Sequence, residues 1–486
     1  GCGLVLTIDA EIQEMVEKAM RECIEVNQAQ SVICLVSDVK TGAILAMCMN
    51  PCYDPNDPPR NDAETLTELM RLTAISDVYE PGSTFKILTA ASALDSGVTT
   101  PQDSFYCSAK ITVDGDTIRC WGRPHGAETM ADGLKNSCNP VFVELALRMG
   151  TDTFYRYLTA FGLGKKTGID LPGESPGILI TSRNVKRVDL ARIGFGQSVA
   201  LTPIQMMMAA NSVINGGKLM KPYIVSEIQT PDGETLERFH PTVMAAPIRP
   251  ETSDTMRLLL ERVVSEGGGK NAAIAGYRIG GKTGTAQVYK NGRVVRDTHI
   301  GSFYGFAPVN DPQVSILVIV KEADVPIDYG GTTAAPFARQ IMREMLPYLG
   351  IEPENDEKDE EIEVPALKGL TIGDAKRKLS QVGLESVTDG TNTVVLDQLP
   401  PAGAKLVKGG HVMLYTAGSE EMTPEELVCV PDLTGLGDVD CARLVRQRGL
   451  MMSMTGQGLC TEQSPAAGEY VQPGTTIFLL MAGDDE

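Results

Sequence analysis

Ser83 and Lys86 stand three residues apart in the run Tyr79-Glu80-Pro81-Gly82-Ser83-Thr84-Phe85-Lys86. On a helix this spacing puts both side chains on one face, with Cβ atoms about 5–6 Å apart. An unprotonated Lys there can take the proton of a Ser hydroxyl and make it a nucleophile. Pro81 and Gly82 read as the start of a helix, so Ser83 is expected in its first turn. Unpaired backbone N–H groups and the positive end of the helix dipole favour negative charge developing at that point.

Two further motifs carry polar groups suited to the same chemistry. Ser137-Cys138-Asn139 is an S-x-N, and Lys282-Thr283-Gly284-Thr285 is a K-T-G-T. Each motif has imitators in the chain, and local context separates them. Ser37 and Lys40 repeat the S-x-x-K spacing, but residues 31–37 and 43–49 read as two strands around a turn. In a strand, i and i+3 point to opposite faces, so this pair cannot cooperate. Ser182-Arg183-Asn184 leads into a charged segment and reads as a surface cap. Lys40-Thr41-Gly42 sits at the hairpin turn, and Lys166-Thr167-Gly168 lies in a loop crowded with Gly and Pro. Only Lys282 starts a long strand pattern. Gly280, Gly281 and Gly284 around it lack side chains, which lets another backbone approach, and an extended peptide could add along such an edge. Strict alternation sends Lys282 and Thr283 to opposite faces, so a twisted or bulged edge is expected if both line one site.

The elements that must carry these motifs follow from periodicity and caps. Residues 9–23 read as an amphipathic helix, with Asp9 as N-cap and an apolar stripe of Ile12, Met15, Val16, Met20 and Cys23. A hairpin over 31–49 follows. Residues 60–220 read as mostly helical. Met130 to Lys135 is helix-like, and Ser137 falls in a loop before Asn139-Pro140. Thr202, Pro203 and Gln205 mark a helix start with a capping box. Residues 277–290, 300–308 and 313–321 read as strands, with turns at Asn291-Gly292 and Asn310-Asp311-Pro312. A helix over about 336–346 is expected to end at Pro347. The fold class is α+β: one antiparallel sheet covered by helices, with a helical subdomain.

Residues 351–363 read as a solvated acidic linker, since 352–363 hold eight acids and one Lys. Beyond it the sequence repeats itself. Val364-Pro365-Ala366-Leu367-Lys368-Gly369-Leu370 matches Val430-Pro431-Asp432-Leu433-Thr434-Gly435-Leu436. Gly383-Leu384 matches Gly449-Leu450; Gln398, Pro400 and Gly403 match Gln463, Pro465 and Gly468; Ala417-Gly418 matches Ala482-Gly483. Each unit reads as one helix, over 371–382 or 439–448, followed by short strands.

Composition narrows the function. A chain of 486 residues implies two to four domains. A net charge of −20 argues against binding nucleic acid through its phosphates. No apolar run approaches the roughly 18 residues of a membrane span. The chain starts at Gly1 and is expected to be a piece of a longer protein. Eleven Cys, an odd number without C-x-x-C spacing, argue against a zinc ribbon or a disulfide framework. Cys107 and Cys120 flank a hairpin-like stretch turning at Asp114-Gly115, near Trp121 and His125, and are expected to stay unbridged. His occurs only at 125, 240, 299 and 411, with no pair at metal-ligand spacing. Scarce His and no G-x-S-x-G argue against a Ser-His-Asp hydrolase.

The motif order S-x-x-K, S-x-N, K-T-G resembles that of penicillin-binding proteins and serine β-lactamases. Class B penicillin-binding proteins are resembled further by Leu4 to Gln13, the Asp38 to Met47 hairpin, and Glu80-Pro81-Gly82-Ser83. The same holds for Gly194-Phe195-Gly196-Gln197 leading to Thr202-Pro203-Ile204-Gln205, and for Lys282 to Gln287. The likeness spans residues 1–350. Residues 364–418 and 430–484, with a linker over 419–429, resemble PASTA domains. The combination implies a Gram-positive-type division or sporulation enzyme.

That resemblance implies a peptidoglycan D,D-transpeptidase with a DD-peptidase fold. Ser83 would attack the penultimate D-Ala carbonyl of a stem peptide, with Lys86 as base. Ser137 with Lys282 would relay the proton to the leaving amine. Asn139 would hold the substrate amide. Lys282, Thr283 and Thr285 would bind the terminal carboxylate, with Gly284 and Gln287 also on the substrate. The backbone N–H groups of Ser83 and Thr285 would form the oxyanion hole. β-Lactams would acylate Ser83, an amine on a neighbouring stem would accept the acyl group, and no metal or cofactor is implied. The expected setting is the outer face of the cytoplasmic membrane, with an N-terminal anchor and a membrane glycosyltransferase as partner. A D,D-carboxypeptidase, a β-lactamase-type hydrolase and a non-catalytic wall sensor stay open as alternatives. An E-x-x-L-N segment, which carries the class A β-lactamase base, is missing.

Overall fold

The computed structural model describes residues 1–121, 124–290, 293–325, 328–354, 361–389, 394–416, 428–448, 450–456, 458–465, 467, 470–471 and 475–482. The expected turn at Asn291-Gly292, residues 355–360 of the acidic stretch, the linker over 419–427, and the repeat residues Ala417, Gly418, Gly449, Gly468 and Gly483 lie outside the described residues.

A five-stranded antiparallel sheet forms the frame. Its strands are β1 (Ala29–Asp38), β2 (Ile44–Asn50), β3 (Gly280–Lys290), β4 (Arg293–Ala307) and β5 (Val314–Ala323), in the spatial order β3-β4-β5-β1-β2. Two sequence-distant hairpins therefore join through β5 and β1, and β3 is left as an edge. Where a strand over 300–308 is expected, β4 runs unbroken from Arg293 to Ala307.

The sheet separates two apolar cores. On one face, α1 (Ala10–Asn27) packs with the helix Ala335–Tyr348 against Cys34, Val36, Phe303 and Val318. The Asp9 carboxylate caps α1 by accepting from the N–H groups of Glu11 and Ile12. The helix runs one turn past the expected end, stopping where Gln28 turns left-handed at φ 46°. The Ala335–Tyr348 helix likewise runs past Pro347, which sits in its last turn.

The other face carries the helical subdomain. It contains α2 (Lys86–Asp95), α3 (Met130–Lys135), α4 (Asn139–Ala160) and α5 (Pro203–Ile214), packed on Tyr304, Phe306 and Leu317. Phe85, Leu88 and Phe142 are fully buried there; each such side chain contributes about 1.5–3 kcal/mol by leaving water. The expected capping box of α5 forms, with Thr202 Oγ1 accepting from Gln205 N–H and the Gln205 amide oxygen accepting from Thr202 N–H. This region is less purely helical than its pattern suggests. Short strand pairs interrupt it at Ser104–Cys107 with Gly126–Thr129, and at Lys110–Val113 with Asp116–Arg119.

The imitator motifs have structural roles. Ser37 is buried opposite Ser315 in the sheet. Asp38 Oδ1 accepts from the N–H groups of Lys40 and Thr41 and so forms the turn. Thr167 and Gly168 wrap the Glu174 carboxylate.

Residues 1–388 and 394–415 form one compact unit, which includes the first repeat; residues 389–393 and 416–486 form the other. In the first repeat, Glu361–Glu363 pairs with Lys405–Val407, so the end of the expected linker is a strand of the repeat. The Gln398 side chain accepts from Leu367 N–H at 2.6 Å and donates to Pro365 O at 3.0 Å. The second repeat copies this clamp: Gln463 accepts from Leu433 N–H at 2.7 Å and donates to Pro431 O at 3.1 Å. Its first strand, Val428–Cys429, pairs with Tyr470–Val471, ahead of the boundary expected at 430. The repeated Val-Pro and Gln positions thus encode one backbone clamp made twice.

Candidate active site

Ser83 lies in a 3₁₀ turn, Gly82–Phe85, and Lys86 is the first residue of α2. The first turn is therefore tighter than the expected α-helical one. In a 3₁₀ turn i and i+3 eclipse, which aligns Ser83 with Lys86 more closely. The turn depends on Gly82 at φ +53°, where a β-carbon would stand 2.5 Å from the Thr285 carbonyl oxygen. That contact sets the Ser83 turn directly against β3. The loop 194–201 holds the turn from behind. Gly82 N–H donates to Gly196 O at 3.1 Å, Ser198 N–H donates to Glu80 Oε1 at 2.9 Å, and Tyr79 and Leu201 exchange backbone bonds. Gly196 must be Gly, since a β-carbon would come within 2.1 Å of Gly82 O.

Ser137 stands between α3 and α4 at φ +56°, a left-handed conformation that costs a non-Gly residue on the order of 1–3 kcal/mol. The turn is held by Cys138 N–H on Gly133 O, by Trp121 Nε1 on Asn136 O, and by Asn139 Nδ2 on Arg119 O. Strain held this firmly marks a position where geometry matters.

Two lysines converge on that turn. Lys86 Nζ donates to Ser137 O at 2.6 Å, Asn139 Oδ1 at 2.7 Å and Ser137 Oγ at 3.2 Å. Lys282 Nζ donates to Ser137 Oγ at 2.9 Å. Three acceptors match the three N–H donors of an ammonium, so this is the arrangement of protonated Lys86. Ser137 Oγ has both lone pairs engaged by lysines, which leaves its own proton to point elsewhere. Burial pushes Lys86 from the ordinary 10.5 down to about 8, against the opposing pull of Cys120, Cys138 and Glu128. Burial and then the charge of Lys86 hold Lys282 well below the ordinary lysine range.

The expected bulge at Lys282 is corrected. The register of β3 with β4 is regular from Gly280 to Gln287 and shifts only between Gln287 and Val288. Lys282 pairs with Tyr304, so it faces the helical subdomain, buried, and reaches Ser137 from below. Thr283 and Thr285 take the other parity, toward Gly330 and Gly331: Gly330 N–H donates to Thr285 Oγ1 at 3.4 Å. A long side chain on one face and short hydroxyls on the other bracket the same edge, with Gly284 between them.

A cleft of about 530 Å³ runs along this edge. It is lined by Ser83, Ser137, Asn139, Thr283, Gly284, Thr285 and Gln287. Lys86 and Lys282 lie behind this lining. Residues passed over in the sequence line it too: Trp121, His125 and His299, and Val387, His411 and Met413 of the first repeat. The repeat reaches the cleft because His411 N–H donates to Asn271 Oδ1 at 3.0 Å and Lys270 pairs with Glu385 at 2.8 Å. The exposed Trp121 beside a lone His was the one available signal for this wall; nothing in the repeat sequence marks His411.

The fold also gathers donors that sequence spacing left apart. Cys107, Cys120, His125 and Cys138 bring ligand atoms within 4.8 Å of one another next to Ser137, where no metal-ligand spacing was read. Cys107 and Cys120 are unbridged.

Comparison with known proteins identifies the family and the fold. The penicillin binding protein transpeptidase domain family matches residues 32–343, and the PASTA domain family matches 362–418 and 428–483. Stage V sporulation protein D of Bacillus subtilis is 38% identical over 432 residues, covering 87% of this chain and 66% of that protein. Peptidoglycan D,D-transpeptidase FtsI of Escherichia coli is 30% identical over 353 residues, covering 72% and 57%. The chain thus spans about one half to two thirds of the length of these relatives. Among solved structures, penicillin binding protein 3 from Mycobacterium tuberculosis, complexed with aztreonam, superposes with a TM-score of 0.67 at 28% identity. That match covers 73% of this chain and 80% of the other. Penicillin Binding Protein 2X from Streptococcus thermophilus covers 99% of this chain and 72% of its own, with a TM-score of 0.66; at 21% identity it speaks for the fold alone. The chain belongs to the penicillin-binding protein family, with a transpeptidase domain followed by two PASTA domains.

Proposed function

We propose that the chain is the catalytic part of a peptidoglycan D,D-transpeptidase that works through an acyl-enzyme on Ser83. The observation that carries this reading is Ser137, held by two buried lysines within one cleft with Ser83. Deprotonated Lys86 takes the Ser83 proton as Oγ attacks the penultimate D-Ala carbonyl. The carbonyl oxygen gains charge against the backbone N–H groups of Ser83 and Thr285, whose segments touch at Gly82. Ser137, its lone pairs engaged by lysines, gives its proton to the leaving D-Ala amine and is reprotonated from Lys86 or Lys282. Asn139 orients the substrate amide. Thr283 and Thr285, with the charge of Lys282 behind them, hold the terminal carboxylate, and Gly284 and Gln287 line the path of the extended peptide. A neighbouring stem amine then takes the acyl group. β-Lactams acylate the same serine, a reading supported by the aztreonam complex of the Mycobacterium tuberculosis relative.

Peptidoglycan is built outside the cytoplasmic membrane, so this activity belongs on its outer face, beside a membrane glycosyltransferase that supplies the glycan strands. No described helix is long and apolar enough to cross a membrane. Similarity to a stage V sporulation protein D supports wall synthesis in sporulation or division. The test is to supply a stem-peptide donor ending in D-Ala-D-Ala together with an amine acceptor and to separate products by mass. Cross-linked product that disappears in Ser83→Ala is expected. Hydrolysed donor alone would make the protein a D,D-carboxypeptidase, and unchanged donor would leave a binding protein.

A further inference from the structure

We propose that His299, held by Asp328, is the base that takes a proton from the acceptor amine as the acyl group leaves Ser83; this rests on the transpeptidase reading above. His299 stands on β4 opposite Gln287, in the last pair before the register shifts. Alternation and pairing put Thr283, Thr285 and Gln287 of β3 on one face with His299 and Gly301 of β4. His299 is two residues from Gly301, the partner of Thr285, which is about 7 Å along the strand. Its ring lines the cleft that holds Ser83.

The imidazole is fixed from behind. Asp328 Oδ1 lies 2.8 Å from His299 Nδ1, and Asp328 Oδ2 accepts from the His299 backbone N–H at 2.6 Å. The Asp328 side chain is 9% exposed and that of His299 32%, so the carboxylate is buried while the ring reaches the cleft. An ionised carboxylate only accepts, so Nδ1 carries the proton and Nε2 the lone pair. Tyr329 meets the ring edge-on, with centroids 6.1 Å apart. The segment behind the pair lies tight on the strands. A β-carbon on Gly301 would stand 3.0 Å from Asp328 O, and Gly330 N–H donates to Thr285 Oγ1. The backbone bond to Oδ2 already pins this segment; the second bond, to Nδ1, fixes the ring. A second carboxylate–imidazole pair in the cleft does not suit the task. His411 engages Glu385 through Nε2 at 3.1 Å, and burial with the charge of Lys270 holds it below the ordinary imidazole range.

Aminolysis needs two proton acceptors. A primary alkyl amine titrates at about 10.4 and enters the cleft as the ammonium at neutral pH. Two protons leave its nitrogen as the N–C bond to the acyl carbonyl forms and the C–Oγ bond breaks. One returns to Ser83 Oγ through Lys86, the reverse of acylation. The other passes to His299 Nε2 and on to water, with the Asp328 charge stabilising the imidazolium. His299 is thus a catalytic residue of the second half-reaction, and Asp328 its positioning residue.

The test starts from the acyl-enzyme. The protein is acylated with a thioester analogue of the donor, the Ser83 adduct is confirmed by mass, and the acyl group is offered at neutral pH to Nα-acetyl-lysine or to hydroxylamine. Hydroxylamine is already neutral there and has one proton fewer to lose. His299→Asn keeps a donor where Nδ1 stood but has no base. In this variant, amide formation with Nα-acetyl-lysine is expected to fall about a hundredfold, while the hydroxylamine rate changes by less than about threefold. Asp328→Asn, whose amide can donate to Nδ1 and shift the ring proton to Nε2, is expected to show the same split. Thermal melting checks that the variants fold, and either folded variant suffices. An unchanged ratio of the two products overturns the proposal, whether both rates fall or neither does. Wild-type protein that forms no Ser83 adduct overturns the transpeptidase reading, and this inference with it; an adduct with an unchanged ratio overturns this inference alone.

Discussion

Lys282 Nζ lies 2.9 Å from Ser137 Oγ, joining the edge strand of the sheet to the turn between two helices across 145 residues of sequence. Neither residue is placed by its own element alone. The strand supplies a buried amine of fixed direction, and the turn supplies a hydroxyl whose backbone is strained. Groups that form one proton path lose function as a unit. Lys282→Ala and Ser137→Ala are each expected to slow acylation by a labelled penicillin about a hundredfold or more. The double variant should be little worse than either single one. Losses that multiply, measured as second-order acylation rates, would separate the two residues into independent roles.

Lys86 governs the pH response. Its folded value is lowered from 10.5 to about 8, mainly by burial. The base is the neutral amine, so activity rises as pH climbs toward and through about 8 and levels off above it. Below that point the acylation rate should fall close to tenfold per pH unit. Rates measured from pH 6 to 9.5 on Ser83 labelling check this; a flat profile would remove Lys86 as base.

Gly82 is the contact between the nucleophile turn and β3. Gly82→Ala places a β-carbon against the Thr285 carbonyl at φ +53°, so the turn must retreat from the strand. The expected cost is on the order of 1–3 kcal/mol of stability. Acylation should fall further than thermal stability accounts for, because the Ser83 and Thr285 N–H groups separate. Parallel melting and labelling experiments distinguish the two effects.

Gln398 and Gln463 anchor the two repeats. Gln398→Ala leaves Leu367 N–H and Pro365 O without their partner, at about 1–3 kcal/mol for each orphaned buried group. Hydrogen exchange over residues 364–370 should accelerate while the core strands β1 and β5 keep their protection. Gln463→Ala should do the same over 430–436. Unchanged exchange in both would show the clamp to be incidental.

The Ser83–Lys86 turn, the S-x-N loop and the Lys282 strand could be read from sequence because each rests on local grammar: spacing within one helical turn, a loop between two helices, a strand start rich in Gly. The caps at Asp9 and Thr202 and the repeated Gln positions were legible for the same reason. What failed was relation between elements. Parity showed that Lys282 and Thr283 diverge, yet only the assembled sheet shows that the helical subdomain lies on the lysine side, so no bulge is needed. The 3₁₀ turn at Ser83 comes from packing of Gly82 on Thr285 and Gly196, both remote in the chain. His411 reaches the cleft through Asn271, and no periodicity encodes that contact. The Cys107, Cys120, His125 and Cys138 cluster lacks motif spacing because four separate segments build it.

The central claim is that Ser83 carries the acyl group. The most direct measurement is incubation with a labelled penicillin, followed by digestion and mass mapping of the modified peptide. A stable adduct on Ser83, absent in Ser83→Ala and formed more slowly in Lys86→Ala, is the predicted result. A modified residue other than Ser83, or no adduct on correctly folded protein, would contradict it.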